Sequence, residues 1–329
     1  MTLLRASPND LFALAGAAAE YLGIPQAAFV EKDYWVVELL RSVMRPPKLD
    51  PINGRPCSAR ALLKGGTSLS KAFGIIERFS EDVDILIVHE GLGQNARENR
   101  VLRPICDRAR VALGLTESDV LLAEHTTGTA RNVHYLYPVQ ISSAVIAPMV
   151  RLEMGIRGGT LPGTIRSQVR SYISAYVESA GIDADFGELA LVDVELIAPV
   201  RTLAEKLALL HHAATTAVNG DPRSLERAGR HFGDIARLLS DGSVLEALGE
   251  EGSSIQKLAI DVESWSANSG WPYTPRPADG YGMSVAFDRA SAVRAIAESS
   301  YRDATGLMWG TIPTFRECLD VVEANAALL

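Results

Sequence analysis

The spacing of apolar residues predicts two regions of different architecture along this 329-residue chain. In the first region we predict helices at 10–22, 25–43 and 100–113, a polar loop at 90–99, and strands at 61–63, 82–87, 119–124, 132–139, 149–156 and 191–196. In the second region we predict helices at 200–218, 222–241, 284–299 and 313–328, and an ordered Pro/Gly-rich loop at 268–282. The pattern therefore predicts an α/β domain over residues 1–198, opening with helices, and a helical domain over residues 199–329.

A double glycine follows the predicted strand at 61–63. Gly65 and Gly66 form a predicted turn whose backbone can approach a ligand closely. Thr67 and Ser68 are candidate N-caps of a short helix, whose apolar face is Leu69, Ala72, Phe73 and Ile76. Since free N–H groups at a helix start favour anions, this turn is a candidate phosphate site. Glycine pairs also mark ordinary turns.

An Asp-x-Asp pair follows this helix. Asp82 and Asp84 alternate with apolar residues, which predicts a strand that carries both carboxylates on one face. Two carboxylates on one face repel each other unless a cation lies between them, which suits Mg2+. The same pair could also lie on a solvated strand edge.

A third carboxylate would complete a site of this kind. Glu153 lies on the alternating strand at 149–156, and its neighbour Arg151 falls on the same face and could contact phosphate. The alternatives are Asp193 and Glu195 on the strand at 191–196. Either strand could instead present a solvated polar face.

Composition restricts the class of protein and its partners. The net charge is −8, whereas proteins that wrap long nucleic acid non-specifically are usually basic. A local arginine group could still bind a nucleic-acid end, and the candidates are Arg151, Arg157, Arg166, Arg170, Arg223, Arg227 and Arg230. Three scattered cysteines form no zinc or disulfide pattern. No apolar run could span a membrane, and no signal peptide is evident, so we expect a cytoplasmic protein.

Lys64 to Asp84 resembles a signature of the AbiEii/AbiGii toxins, K-GGT-[SA]-L-x-K … R-F-S-E-D-[IV]-D. Three further stretches are similar to that family: R-T-L-A-E-K-L-A-L-L-H-H from Arg201, R-H-F-G-D-I-A-R-L-L from Arg230, and M-W-G-x-x-P-T-F near the end. The element E-K-D-Y at residues 31–34 also resembles the family, although a core-facing helix is enough to explain it. The resemblance implies a nucleotidyltransferase fold: a mixed sheet with flanking helices, followed by a helical region.

The resemblance also implies site residues. It assigns Lys206 and Asp234 to the active site, beside Asp82 and Asp84. A lysine within an otherwise apolar helix must reach solvent, a carboxylate or a phosphate, because burying an unpaired ammonium is costly. The alternative is a structural Lys–Asp pair that links two helices.

The implied function is a nucleotidyltransferase toxin of a toxin–antitoxin or abortive-infection system. It would transfer a nucleoside monophosphate from an NTP to an acceptor, for some relatives a tRNA 3′ end, and a cognate antitoxin would restrain it. Two Mg2+ ions would be held by Asp82 and Asp84, with Glu153 as the third ligand or base. The residues that would bind the NTP are Lys64, Gly65, Gly66, Thr67 and Ser68. The alternatives are nucleotidylation of a small molecule such as an antibiotic, and a non-catalytic nucleotide-binding module.

Overall fold

The computed structural model describes residues 3–45, 47–250 and 252–329. By their contacts these residues divide into two compact units. Unit 1 is formed by Met1–Phe73, Phe79–Arg157 and Ile165–Leu196, and unit 2 by Gly74–Arg78, Gly158–Thr164 and Ile197–Leu329. Two short segments that precede residue 198 thus cluster with the helical residues that follow it. A domain boundary at residue 198 stays a prediction.

Within the described residues, the sheet has seven strands in the order β3-β4-β5-β2-β1-β7-β6. The strands are β1 (Ser58–Lys64), β2 (Asp82–Glu90), β3 (Val120–Thr126), β4 (Ala130–Leu136), β5 (Met149–Gly155), β6 (Thr164–Val169) and β7 (Val192–Ile197). Strand β2 pairs antiparallel with β1 and parallel with β5. The predicted mixed sheet with flanking helices and a helical C-terminal region is therefore confirmed.

The helices of unit 1 are α1 (Pro8–Leu22), α2 (Ala27–Val43), α3 (Gly65–Lys71), α4 (Gln94–Arg97), α5 (Arg103–Ala112) and α6 (Tyr172–Ser179). Helix α2 is buried almost all round, including its charged residues Glu31, Lys32 and Asp33. A helix in that position must provide a partner for every charge that it carries inward. Helix α4 lies in the predicted loop 90–99, and neither α6 nor β6 was predicted.

Helix α3 corrects the predicted helix after the double glycine. It ends at Lys71, with Ala72 as its C-cap, although the apolar spacing extends to Ile76. Gly74, two residues past that cap, has a left-handed φ of 65°, which a continuing helix does not adopt. Its N-cap is Lys64, so the prediction that Thr67 and Ser68 are N-caps is wrong. Both residues lie inside the first turns of the helix and are buried.

The helices of unit 2 are α7 (Pro199–Val218), α8 (Arg223–Glu226), α9 (Arg230–Ser240), α10 (Gly242–Leu248), α11 (Ile255–Ser269), α12 (Arg294–Ala304) and α13 (Phe315–Ala324). The predicted helix 222–241 is interrupted before Arg230, where the Gly229 N–H donates to Ser300 Oγ at 2.9 Å. The predicted helix 284–299 begins only at Arg294. The Ser284 and Ser291 hydroxyls accept nearby backbone N–H groups there and stabilise turns instead.

None of the helices in the described part of the chain is long and apolar enough to cross a membrane.

Candidate active site

A row of charged residues crosses one face of the sheet in unit 1. Asp84 on β2 is paired in register with Glu153 on β5 and with Lys64 on β1. Asp82, two residues before Asp84, is in register with Arg151. Directly paired residues project from the same face of a sheet. The structure therefore brings the predicted carboxylates Asp82, Asp84 and Glu153 onto one face, with Lys64 beside them.

The glycine turn lies directly against this row. Gly65 has φ 72°, and a Cβ atom at this position would overlap Asp84 Oδ2. Only glycine combines that left-handed backbone with the missing side chain. The Asp84 carboxylate thus packs directly against the backbone of the glycine turn.

Two hydroxyls hold the turn in place. Thr67 Oγ1 donates to the backbone carbonyl of Asp82 at 2.5 Å, and Ser68 Oγ donates to the carbonyl of Gly65 at 2.8 Å. Gly66, which lies between Gly65 and Thr67 in sequence, is buried. Thr67 therefore ties helix α3 to the start of the Asp-x-Asp strand, which fixes the glycine turn relative to the carboxylates.

The carboxylates suit a hard cation in their chemistry, because Mg2+ prefers oxygen ligands. Asp82 and Asp84, which share one face of β2, are the carboxylates that would hold such an ion. No group of three or more His, Cys, Asp or Glu residues is arranged to hold a metal among residues 3–45, 47–250 and 252–329. Glu153 thus shares the face without completing a three-ligand group, and its role stays a prediction.

The alternative third carboxylates have other partners. Glu195 on β7 pairs with Arg60, Nη1 to Oε1 at 2.5 Å. Asp193 accepts a hydrogen bond from Gln168 at 2.8 Å. Strand β7 is separated from β2 by β1. Position in the sheet favours Glu153, which lies directly beside Asp84.

Arg151 faces the carboxylate row, so its positive charge is turned toward this site. Its Nη1 atom lies 3.4 Å from Asp82 Oδ1 and 3.8 Å from Glu81 Oε2. Its buried Nε has no hydrogen-bond partner among the described residues. Among the other candidate RNA-binding arginines, Arg170 pairs with Glu178 and Arg223 with Asp221, so both have acidic partners within the chain.

The buried E-K-D triplet of α2 contacts three other segments of unit 1, two of which belong to the glycine-turn motif. Glu31 accepts the backbone N–H groups of Gln140 and Ile141 at 2.7 and 2.8 Å. Burial raises the pKa of Glu31, and these two hydrogen bonds partly oppose the shift. Because successive helical residues point in different directions, each charge of the triplet reaches a different segment.

The other two charges of the triplet bind parts of the glycine-turn motif. Asp33 forms an ion pair with Lys71, the last residue of α3, and accepts the N–H of Tyr172 at 2.7 Å. Lys32 Nζ donates to Glu81 Oε1 at 2.8 Å. Burial lowers the pKa of Lys32, and the Glu81 carboxylate opposes that shift. Lys32 and Asp33 therefore bind residues at both ends of the segment 71–81.

Unit 2 contains a second cluster, which includes the other two predicted site residues. Lys206 Nζ on α7 donates to Asp234 Oδ2 on α9 at 2.7 Å and lies 3.1 Å from His231 Nδ1. Arg78 binds the same carboxylate through Nε to Oδ1 at 2.7 Å and Nη2 to Oδ2 at 2.9 Å. The predicted structural link between Lys206 and Asp234 is present. It does not test a role in catalysis.

The cluster perturbs the pKa values of Asp234, Lys206 and His231. Burial alone would raise the pKa of Asp234, but the charges of Arg78 and Lys206 hold it well below its ordinary value. Burial lowers the pKa of Lys206, although Asp234 opposes this. Burial, together with the Lys206 charge, lowers the pKa of His231 to about 3. His231 is therefore a neutral imidazole, and in the tautomer that carries its proton on Nε2 its Nδ1 accepts a hydrogen bond from Lys206 Nζ.

Sequence reasoning missed Arg78, Lys32 and Glu81 as contributors to these clusters. All three lie inside motifs that it singled out: Arg78 and Glu81 within R-F-S-E-D, and Lys32 within E-K-D-Y. The signal that could have identified them is a charged residue inside a segment that the fold buries, because such a charge needs a partner. Their partners lie 49 and 156 residues away, beyond what spacing reveals.

Comparison with known proteins assigns the family. None of the curated proteins matches the chain. A model of the family described as "Nucleotidyl transferase AbiEii toxin, Type IV TA system" matches residues 55–271, which include the glycine turn, Asp82, Asp84, Lys206 and Asp234. The chain thus belongs to the AbiEii nucleotidyl transferase toxins of type IV toxin–antitoxin systems.

Proposed function

We propose that this protein transfers a nucleoside monophosphate from an NTP to an RNA acceptor, with a tRNA 3′ end as the leading candidate. The observation that carries the proposal is the row of Asp82, Asp84 and Glu153 beside Gly65, in a chain of the AbiEii family. This activity would be the toxic one, acting in the cytoplasm and restrained by a cognate antitoxin.

The carboxylate row would bind and orient the reactants. Asp82 and Asp84 would hold two Mg2+ ions, with Glu153 as a further ligand or as the base that takes the proton of the attacking hydroxyl. When bound, the ions supply neutralisation of the triphosphate charge and activation of that hydroxyl. Lys64 and the turn at Gly65 and Gly66 would bind the phosphates, because the glycines leave room for close approach.

The Lys206 ammonium would contribute positive charge. An ammonium has three N–H donors. Asp234 and His231 account for two of the contacts of Lys206, and the described residues include no partner for the third. Lys206 would use that donor to stabilise negative charge on a phosphate. Asp234 and His231 would keep the ammonium oriented.

A transfer assay tests this function. The purified protein is incubated with each labelled NTP, Mg2+ and total RNA, beside the variant Asp82→Ala/Asp84→Ala. We expect metal-dependent label on RNA with the wild-type protein and none with the variant. Label on small acceptors only would favour the antibiotic-type reaction. No transfer to RNA, protein or small molecules with any NTP would overturn the enzymatic function.

Expression in cells tests the toxin role separately. Induction of the wild-type gene should arrest growth, and induction of the double variant should not. Resistance to a drug without growth arrest would contradict the toxin proposal and support modification of a small molecule.

A further inference from the structure

Glu81, the residue directly before Asp82, is bound by a lysine from a different element. Lys32 Nζ donates to Glu81 Oε1 at 2.8 Å and to the backbone carbonyl of Ala147 at 3.1 Å. The Lys32 side chain is completely buried, whereas that of Glu81 is 20% exposed. Glu81 thus has a fixed, desolvated cation on one side. Such a partner binds more firmly than one at the surface, because water does not compete for it.

A second cation lies on the other side of Glu81 and is shared with the candidate site. Arg151 Nη1 is 3.8 Å from Glu81 Oε2 and 3.4 Å from Asp82 Oδ1. Charges therefore alternate along the series Lys32, Glu81, Arg151 and Asp82. With Lys32 in place, Glu81 is already neutralised, and Arg151 can remain close to Asp82.

Removing the Lys32 charge would change this balance. An uncompensated Glu81 carboxylate would attract Arg151 away from Asp82. It would also add a third negative charge to the acidic segment that begins β2, where it could compete for a cation. Both effects would act on Asp82 without any direct contact between Lys32 and that residue.

We propose that Lys32 is a positioning residue of the candidate active site: by neutralising Glu81 it keeps Arg151 at Asp82 and keeps Glu81 out of the metal-ligand set. This inference rests on the proposed function. Beyond the proposed function, the inference assigns a role to Lys32, the lysine of the buried E-K-D triplet of α2.

The same helix provides a matched control. Asp33, the next residue along, forms a buried ion pair with Lys71, whose ammonium also lies 3.3 Å from the centre of the Tyr172 ring. Lys71 is the partner of Asp33, whereas Glu81 is held by Lys32. Lys71→Met therefore breaks a buried pair of α2 without removing the Lys32 partner of Glu81.

The test is a titration of the full chain with Mn2+, without NTP or acceptor, followed by electron paramagnetic resonance. The proteins are the wild type, Lys32→Met, Glu81→Gln, the Lys32→Met/Glu81→Gln double variant and Lys71→Met. Lys32→Met should bind Mn2+ at least about fivefold more tightly than wild type, within the coupling range of neighbouring charged groups. The double variant should return to within about threefold of the wild type, and Lys71→Met should keep the wild-type Kd.

A transfer assay on the same proteins supplies the second readout. Lys32→Met should lower kcat at least about tenfold and change the Mg2+ concentration for half-maximal rate, and the double variant should recover most of both. An unchanged Mn2+ Kd in Lys32→Met, or a double variant no closer to wild type than Lys32→Met, would overturn the inference. So would an absence of saturable Mn2+ binding by the wild type.

Two further outcomes keep the test decisive. If Lys32→Met does not fold, Glu81→Gln decides: a Mn2+ Kd within about threefold of wild type supports the inference, and a loss above about tenfold identifies Glu81 as a ligand and overturns it. If the wild type transfers no label, the proposed function fails, while the Mn2+ titration still tests the role of Lys32.

Discussion

Arg78 donates two hydrogen bonds to the carboxylate of Asp234, from Nε to Oδ1 at 2.7 Å and from Nη2 to Oδ2 at 2.9 Å. The planar guanidinium matches a carboxylate in this two-point arrangement. Both side chains are almost completely buried, and Lys206 binds the same carboxylate. Asp234 is thus held by two cations, and its orientation depends on Arg78, which lies only four residues before Asp82.

Replacing Arg78 should therefore destabilise the protein severely. Arg78→Met would leave a buried carboxylate with Lys206 as its remaining cation, and we expect a loss of about 3–5 kcal/mol in the free energy of unfolding. Urea unfolding followed by circular dichroism measures this loss. Arg237→Met is the control, because Arg237 forms a half-exposed pair with Glu77 close by and should cost less than about 1 kcal/mol. Equal losses in the two variants would show that the buried Arg78–Asp234 pair contributes no more to the free energy of unfolding than the half-exposed Arg237–Glu77 pair.

Sequence patterns predicted those parts of the fold that local spacing determines. Strand β2 alternates polar and apolar residues, so both its existence and the shared face of Asp82 and Asp84 could be anticipated. Helix α7 has a continuous apolar face and was predicted to within one residue at its start, at Pro199. The pairing of Glu153 with Asp84 needed more than periodicity, since strand order is a property of the whole sheet.

Tertiary contacts account for what the sequence did not reveal. The apolar residues up to Ile76 have helical spacing, yet α3 ends at Lys71, before the left-handed Gly74, so periodicity predicted too long a helix. Lys32 and Arg78 are charged residues that periodicity assigns to no partner. The fold shows that the carboxylate partner of Lys32 is Glu81 and that the carboxylate partner of Arg78 is Asp234.

The glycine turn should tolerate no side chain at Gly65. Gly65→Ala combines a left-handed backbone with a Cβ atom that would overlap Asp84 Oδ2, so the carboxylate must move. We expect transfer activity to be lost, with a cost of about 1–2 kcal/mol in stability from the backbone strain. Label transfer and thermal unfolding measure the two effects.

Gly74→Ala is the matched control for this substitution. Gly74 has φ 65°, close to the 72° of Gly65, but a Cβ atom there would meet no atom within 4 Å. It should lose similar stability and keep its activity. If both alanine variants lose activity to the same extent, backbone strain rather than contact with Asp84 is responsible.

Glu153 should prove more important for transfer than Glu195. Glu153 is in register with Asp84. Glu195 lies on β7, which β1 separates from β2, and it forms an ion pair with Arg60. Glu153→Gln should lower kcat about 100-fold, the scale expected for a group that stabilises charge in the transition state. Glu195→Gln should lower it less than about threefold, because exposed ion pairs contribute little. Steady-state label transfer measures both, and the reverse ranking would assign the third carboxylate to β7.

The neutral His231 should make stability depend on pH in the mildly acidic range. Its pKa is about 3 in the folded protein and near the ordinary 6.5 when unfolded, so the unfolded chain binds a proton that the folded chain does not. The stabilisation is fully present above pH 6.5 and decreases as the pH falls toward 3. Between pH 7.5 and pH 5 the wild type should lose about 2 kcal/mol of unfolding free energy through this residue.

Urea unfolding at pH 7.5, 6.0 and 5.0 measures this loss against two variants. His231→Gln keeps a polar group near Lys206 but cannot titrate, so its stability should fall less steeply over the same range. His212→Gln removes a histidine from α7 that contacts Thr274 instead of the Lys206 cluster, and it should keep the wild-type slope. Parallel slopes for wild type and His231→Gln would mean that His231 is not held neutral by its burial beside Lys206.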